Sequence, residues 1–261
     1  MSGTAARNYE RFVASWFRPW AVDLVARAGL QPGWDVVEVA CGTGVLTRAA
    51  AAAVGADGAI TATDLDEGML AEAARHEVAS ALVRWRTADA TALPFLAGSF
   101  DAVLCQQGLQ FVPDRLTAAR EMRRVLRSGG VAAASVWRAP EHNPYISALA
   151  EGLRRHLSEA AAASMLAPCG FGDPDELAEL FRGAGFSQVE VQASTIARDP
   201  VDAATAIAGN LAALPVAEEV LAMDADARAA MTDDIVAQLA PFIHDGALSA
   251  PSSANTVVAV V

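Results

Sequence analysis

The chain has 261 residues, enough to bury a full core in one elaborated domain. Its formal charge of −12, with basic residues that are all Arg and scattered rather than clustered, argues against nucleic acid or anionic membrane as partners. Cys41, Cys105 and Cys169 form no CxxC pair, which argues against a zinc knuckle or a disulfide framework. No stretch has the form of a signal peptide or the length of a membrane span, so a soluble cytoplasmic protein with reduced thiols is expected.

Residues 6–29 place Tyr9, Phe12, Val13, Trp16, Phe17, Trp20, Leu24 and Val25 at three- and four-residue steps, a helical stripe rich in aromatics and interrupted at Pro19. Such a stripe serves either as a helix packed on the core or as a lid closing over a ligand. Gln31-Pro32-Gly33 ends it as a turn. Strands and helices then alternate. Strands are expected at 35–40, 59–64, 82–87, 101–106 and 131–137; helices are expected at 44–54, 67–78 and 116–126, the last ended by Ser128-Gly129-Gly130. Buried strands that read as continuous apolar runs within this rhythm predict an α/β fold with a doubly wound, mostly parallel sheet.

After Trp137 the rhythm changes. Residues 138–172 hold one helical run from Tyr145 to about Leu166, bounded by Asn143-Pro144 and Pro168-Cys169-Gly170, and read as an inserted cap. Core elements resume over 173–196, with a helix start at Asp173 to Glu176 and an alternating strand from Val189 to Ser194. A second, mostly helical insertion spans 197–250, and 251–261 carries a last strand at Thr256–Val261. The expected layout is therefore a single domain: an N-terminal helical lid (1–29), a cofactor-binding core (30–137) and two caps, with the remaining core elements between and after them.

The densest functional signal is the apolar run Val36 to Ala40 breaking into Cys41-Gly42-Thr43-Gly44, with Asp64 ending the next strand. A strand that turns through glycines into a helix holds a nucleotide-like cofactor at the carboxyl end of a sheet, and a carboxylate at the end of the next strand suits ribose hydroxyls. Aligning Gly42 and Gly44 with the first two glycines of the dinucleotide fingerprint puts Thr47 at the third, a mark against NAD.

Five stretches occur in order: Glu38 to Gly44; Ala62-Thr63-Asp64-Leu65-Asp66-Glu67-Gly68-Met69-Leu70; Ala88 to Phe95; Gly98-Ser99-Phe100-Asp101-Ala102-Val103; and Glu121-Met122-Arg123-Arg124-Val125-Leu126-Arg127-Ser128-Gly129-Gly130. Together they resemble class I S-adenosylmethionine-dependent methyltransferases, in the branch of the ubiquinone and menaquinone C-methyltransferases and many natural-product enzymes. The resemblance covers roughly residues 34–137 and resumes more weakly at 173–196. It implies a seven-stranded Rossmann-like sheet and S-adenosyl-L-methionine as cofactor, with S-adenosyl-L-homocysteine as product.

Residue by residue, the resemblance implies that Glu38 orients the glycine loop and the methionine ammonium, and that the backbone at Ala40, Gly42 and Gly44 lies against the cofactor. Asp64 takes the ribose hydroxyls, Leu65 and Met69 flank the adenine, Asp89 accepts from its amino group and the Ala90 amide serves a ring nitrogen. Gln106 sits under the methionine moiety, and Tyr9 reaches the cofactor carboxylate. Many relatives have glycine where this chain has Ala40. Asp101, leading into a strand, reads instead as a turn residue.

Acceptor contacts are implied at Phe12, Trp16, Gln107, Gln110, Phe111, Trp137, Asn143 and Tyr145, and in the second insertion. This aromatic content suggests a small, largely apolar acceptor, such as a polyketide, terpenoid, quinone or phenolic compound. Asn143-Pro144-Tyr145 looks like part of a nucleobase amino-methyltransferase motif, but that motif follows the fourth strand, where this chain has Cys105-Gln106-Gln107-Gly108. His142 is the candidate general base, since a neutral imidazole takes a proton near pH 7; a solvated loop histidine is the alternative. His76 and His244 read as surface residues, and His156 lies in the cap helix. No metal is called for. The expectation is an enzyme moving a methyl group to O or C by in-line displacement, as a monomer or homodimer. The alternative is a cyclase or pericyclase on the same fold that binds the cofactor without transferring methyl.

Overall fold

A computed structural model describes residues 3–261 except Glu77, Ala79, Arg198, Leu214 and Pro215, with only the backbone of Gly3 and Thr4. Seven strands form one sheet: β1 (Asp35–Val39), β2 (Ala59–Asp64), β3 (Leu82–Thr87), β4 (Phe100–Gln106), β5 (Leu126–Trp137), β6 (Gln188–Ala197) and β7 (Pro251–Val260). Their order is β3-β2-β1-β4-β5-β7-β6. The pairs among β1 to β5 are parallel, and β7 runs antiparallel to both β5 and β6. The order reverses between β1 and β4, and the crevice at the carboxyl ends of those strands is where such sheets take ligands.

One face is covered by α2 (Ser15–Ala28) and α3 (Val45–Val54), whose Ala21, Leu24, Leu46 and Ala50 pack on Val36, Ile60, Ala102 and Leu104. The other face is covered by α5 (Arg115–Val125) and α8 (Pro174–Gly183), through Met122, Val125, Leu177 and Phe181. A third apolar cluster joins the caps, α6 (Pro144–His156), α7 (Glu159–Leu166), α9 (Ala203–Leu211), α10 (Ala217–Ala222) and α11 (Ala225–Gln238), to Trp16, Trp20 and Trp137. The remaining helices are α1 (Gly3–Tyr9) and α4 (Glu67–Ala73), and three two-residue strands within 201–248 form a small separate sheet.

Several expected elements differ. Pro19 lies inside α2 and does not break it; the irregularity falls upstream, at a π-helical turn over Glu10–Ala14. The helix expected to reach residue 78 stops at Ala73. The expected cap helix is two, parted at Leu157, because the Ser158 hydroxyl accepts from the Ala161 amide and starts α7 afresh. β5 starts at Leu126, its register jumping from Phe100↔Leu126 to Ala102↔Val131 as the glycines loop out. β7 begins five residues early, at Pro251, because its buried polar start is satisfied from outside the sheet: the Ser252 hydroxyl accepts from Trp16 Nε1 at 3.1 Å, and Asn255 Nδ2 donates to the Gly172 carbonyl at 2.8 Å. Periodicity registers neither bond.

Candidate active site

The loop after β1 is built by left-handed backbone. Ala40 has φ +56°, Gly42 +54° and Gly44 +81°, and a Cβ at Gly44 would stand 2.7 Å from Trp85 Cη2. The loop is tied to β2: the Cys41 amide donates to the Thr63 carbonyl at 2.9 Å and the Gly42 amide to Asp64 Oδ2 at 2.7 Å. Gly44 caps α3 without a side chain, so the helix presents its amino end, the favourable end of its dipole for a carboxylate, to the site.

Three ionisable groups meet here. Glu38 is buried, and the Thr47 hydroxyl donates to its Oε2 at 2.5 Å. Burial raises its carboxyl to about 8, with the Asp64 charge adding to the rise and the Thr47 bond opposing it. Asp64 is also pushed above the usual carboxylate range by burial, opposed by bonds from the Asp66 and Gly42 amides. Burial, then the Asp64 and Glu10 charges, lift the Tyr9 phenol and keep it neutral. This region suits a ligand carrying a positive charge.

Around the adenine position expected from the sequence, Asp66 caps α4 through the Gly68 and Met69 amides, fixing Met69. Leu65 is 71% exposed. Asp89 Oδ1 accepts from the Thr91 amide and hydroxyl, both at 2.8 Å, bonds that lower its pKa; Oδ2 has no partner among the described residues. Ala90 follows it in the same turn. Past β4, Gln106 Nε2 donates to the Phe17 carbonyl at 2.9 Å, joining the strand end to α2. Gln107 has φ +51°. Its Nε2 and Gln110 Oε1 are buried without partners among the described residues.

The expected acceptor residues divide. Phe12 packs into α9, where a Cβ on Gly209 would stand 2.4 Å from its ring. Trp16 and Trp137 are 5.8 Å apart between ring centroids, and Trp16 meets Tyr145 edge-on at 5.0 Å. Tyr145 and Asn143 are buried and anchor the fold: the Tyr145 hydroxyl donates to the Ala206 carbonyl, and the Asn143 amide spans both backbone groups of Ser253. Phe111 is 62% exposed. His142 is exposed, with Nε2 3.0 Å from Arg138 Nη2. Guanidinium only donates, so this contact occupies the lone pair that a base needs. Two clefts, of about 520 and 390 Å³, lie within the caps and share no residue with the cofactor set.

Sequence reasoning missed Arg48. Its guanidinium donates to the Thr43 carbonyl in the glycine loop at 2.8 Å and to Glu10 Oε1 at 2.9 Å. A lone Arg in an Ala-rich helix gives no signal of this. Asp101, read from the sequence as a turn residue, lies inside β4: it accepts from the Asp35 amide and pairs with Arg127, pinning the amino ends of β1 and β4.

A methyltransferase-domain family model matches residues 37–134. A demethylmenaquinone methyltransferase of Geobacillus stearothermophilus is 34% identical over 188 residues, covering 67% of this chain and 80% of the relative. Among solved structures, Haemonchus contortus phosphoethanolamine N-methyltransferase 2, bound to phosphomonomethylethanolamine and S-adenosylhomocysteine, superposes with TM-score 0.60 at 17% identity, over 99% of this chain and 57% of the other. The [4+2]-cyclase SpnF superposes with TM-score 0.53 at 21% identity, over 91% and 78%. The chain belongs to the class I S-adenosylmethionine-dependent methyltransferases, in the branch of the quinone C-methyltransferases.

It is therefore an S-adenosylmethionine-dependent methyltransferase enzyme. The site fits that cofactor: left-handed backbone leaves room against the loop, Thr43 Oγ1 is buried without a partner among the described residues, and Glu38 and Asp64 form an acidic pair.

Proposed function

We propose that the enzyme methylates an oxygen or carbon atom of a small, largely apolar acceptor, with a quinone-like, phenolic or polyketide ring as the class. The supporting observation is the Gln106 to Phe17 hydrogen bond, which joins the cofactor end of β4 to the aromatic cluster of Phe17, Trp16 and Trp137. An apolar wall beside the cofactor end of the sheet selects a flat apolar substrate and excludes water. The name of the Geobacillus relative agrees with a ring of that kind.

In this reading Gly42, Gly44, Asp64, Met69 and Asp89 hold S-adenosylmethionine, with Tyr9 and Glu38 at its amino-acid end. The cofactor supplies a methyl group on a sulfonium. The protein's part is alignment, since held reactants gain from proximity and desolvation. Gln107 and Gln110, with one unpaired donor and one unpaired acceptor between them, orient the polar edge of the acceptor. His142 serves as base once Arg138 releases its Nε2.

Mass spectrometry after incubation with quinol, phenol and polyketide acceptors should show the gain of one methylene unit. A rearranged product of unchanged mass would support a cyclase instead. His142→Ala is expected to lower kcat by roughly 10²-fold or more with homocysteine-product affinity intact. Full activity in that variant would leave alignment alone to account for catalysis.

A further inference from the structure

Twelve residues, 88–99, join β3 to β4, and Asp89 and Ala90 open that stretch. Asp89 bonds within its own turn, to Thr91 and through its carbonyl to the Ala92 amide, so these contacts do not place the turn on the fold. Two anchors do. On one side the Ala88 amide donates to the Asp64 carbonyl at 3.0 Å. On the other, α5 takes hold: the Leu93 amide donates to Glu121 Oε2 at 2.8 Å, while Arg124 donates to the Leu93 carbonyl at 2.9 Å and the Phe95 carbonyl at 2.8 Å. Glu121 and Arg124 also bind each other through two contacts of 2.6 and 2.7 Å, and that pairing lowers the carboxyl and raises the guanidinium. The Leu93 side chain is buried against α5, and the Phe95 ring meets Phe100 edge-on.

Residues 89–92 thus bridge between the carbonyl of Asp64, the expected ribose ligand, and one ion pair on α5. We propose that Glu121 and Arg124 are positioning residues for purine recognition: they set where Asp89 and Ala90 stand relative to Asp64, and so the preference for a 6-amino over a 6-oxo purine. The inference rests on the reading of Asp89 and Ala90 as the adenine contacts. An ion pair suits this work because each oxygen and nitrogen used on the loop is held in turn by its partner, and charge-assisted bonds are the stronger kind.

The test is calorimetric titration of the full chain with S-adenosylhomocysteine and with its deaminated analogue, S-inosylhomocysteine, which turns an acceptor toward Asp89. The wild type is expected to prefer the adenosyl compound by about tenfold or more, the scale of one hydrogen bond to a charged group. Arg124→Ala and Glu121→Gln should reduce that preference to within about threefold, chiefly by weakening the adenosyl compound, and Arg124→Lys should restore part of it. Glu121→Gln keeps the Arg124 bonds to both carbonyls, so it tests the idea even where Arg124→Ala does not fold. Loss of affinity for both compounds with the ratio unchanged would mark the pair as merely structural and overturn the proposal. If Asp89→Ala abolishes the preference while neither α5 variant does, the inference alone falls. A wild-type ratio near one, or one that survives Asp89→Ala, overturns the adenine reading and the inference with it.

Discussion

Thr47 stands where a dinucleotide fold needs its third glycine, and the structure gives it a use: from α3 its hydroxyl donates to the buried Glu38 carboxyl on β1. Burial favours the protonated form of Glu38, and the sign of the consequence follows from linkage. The folded state keeps the proton to about pH 8 while the unfolded chain loses it near 4.5, so stability is full below 4.5 and falls as pH rises to about 8. Glu38→Gln should flatten the ligand-free melting curve over that window, and a slope identical to wild type would remove Glu38 as its source. A cofactor ammonium beside Glu38 would expel the proton, so homocysteine-product binding at pH 7 should release protons, seen as a dependence of binding heat on buffer ionisation. At this scale Asp64 and the glycines were legible, because a strand end and a spacing suffice to find them. The partners of Glu38 were not, since only a helix packed back on its strand brings Thr47 there. Ala40 holds φ +56°, a left-handed backbone that glycine would adopt without the steric cost an L side chain carries.

Between elements, the sheet was readable because each buried strand is a continuous apolar run, whereas joints made by single polar side chains leave no period. Arg48 is such a joint. It ties α3 both to the glycine loop and to Glu10 on the π-helical turn, so the N-terminal segment carrying Tyr9 is fastened to the loop that Tyr9 is expected to serve. Glu10 is the more enclosed partner, and Arg48 is partly open to solvent. The bond is therefore worth about 1 kcal/mol and weakens with salt. Arg48→Ala should speed proteolytic cleavage ahead of Ser15 and loosen homocysteine-product binding by roughly threefold to tenfold. Unchanged cleavage kinetics would show that the segment is held by its apolar contacts alone. The Pro19 misreading has the same origin: proline signals a break, but the fold absorbs the irregularity at Glu10–Ala14.

For the whole molecule, the question is what holds the caps to the sheet. Trp16, Trp137 and Tyr145, which the sequence offered as substrate contacts, supply much of the answer, since with Trp20 they form the apolar junction between α2, β5 and α6. A density of aromatics has the same appearance in sequence whether it lines a pocket or glues two layers, and only the polar ends of these side chains distinguish the two. Asn143 marks the junction. Its Nδ2 donates to the carbonyls of Ser253 and Arg138 at 3.1 and 3.0 Å, and its Oδ1 accepts from the Ser253 amide at 2.8 Å, with Asn143 itself buried. Truncation strands the Ser253 amide in the interior, while the Ser253 carbonyl keeps its bond from the Arg138 amide, at a cost of about 1–3 kcal/mol. Asn143→Ala should accordingly lower Tm by roughly 2–12 °C for a chain of this size. Homocysteine-product affinity should stay within about threefold of wild type, because the glycine loop, Asp64 and Asp89 make none of these contacts. A variant with wild-type Tm and impaired acceptor turnover would return Asn143 to the substrate site and place the hold on the cap with the aromatic cluster alone.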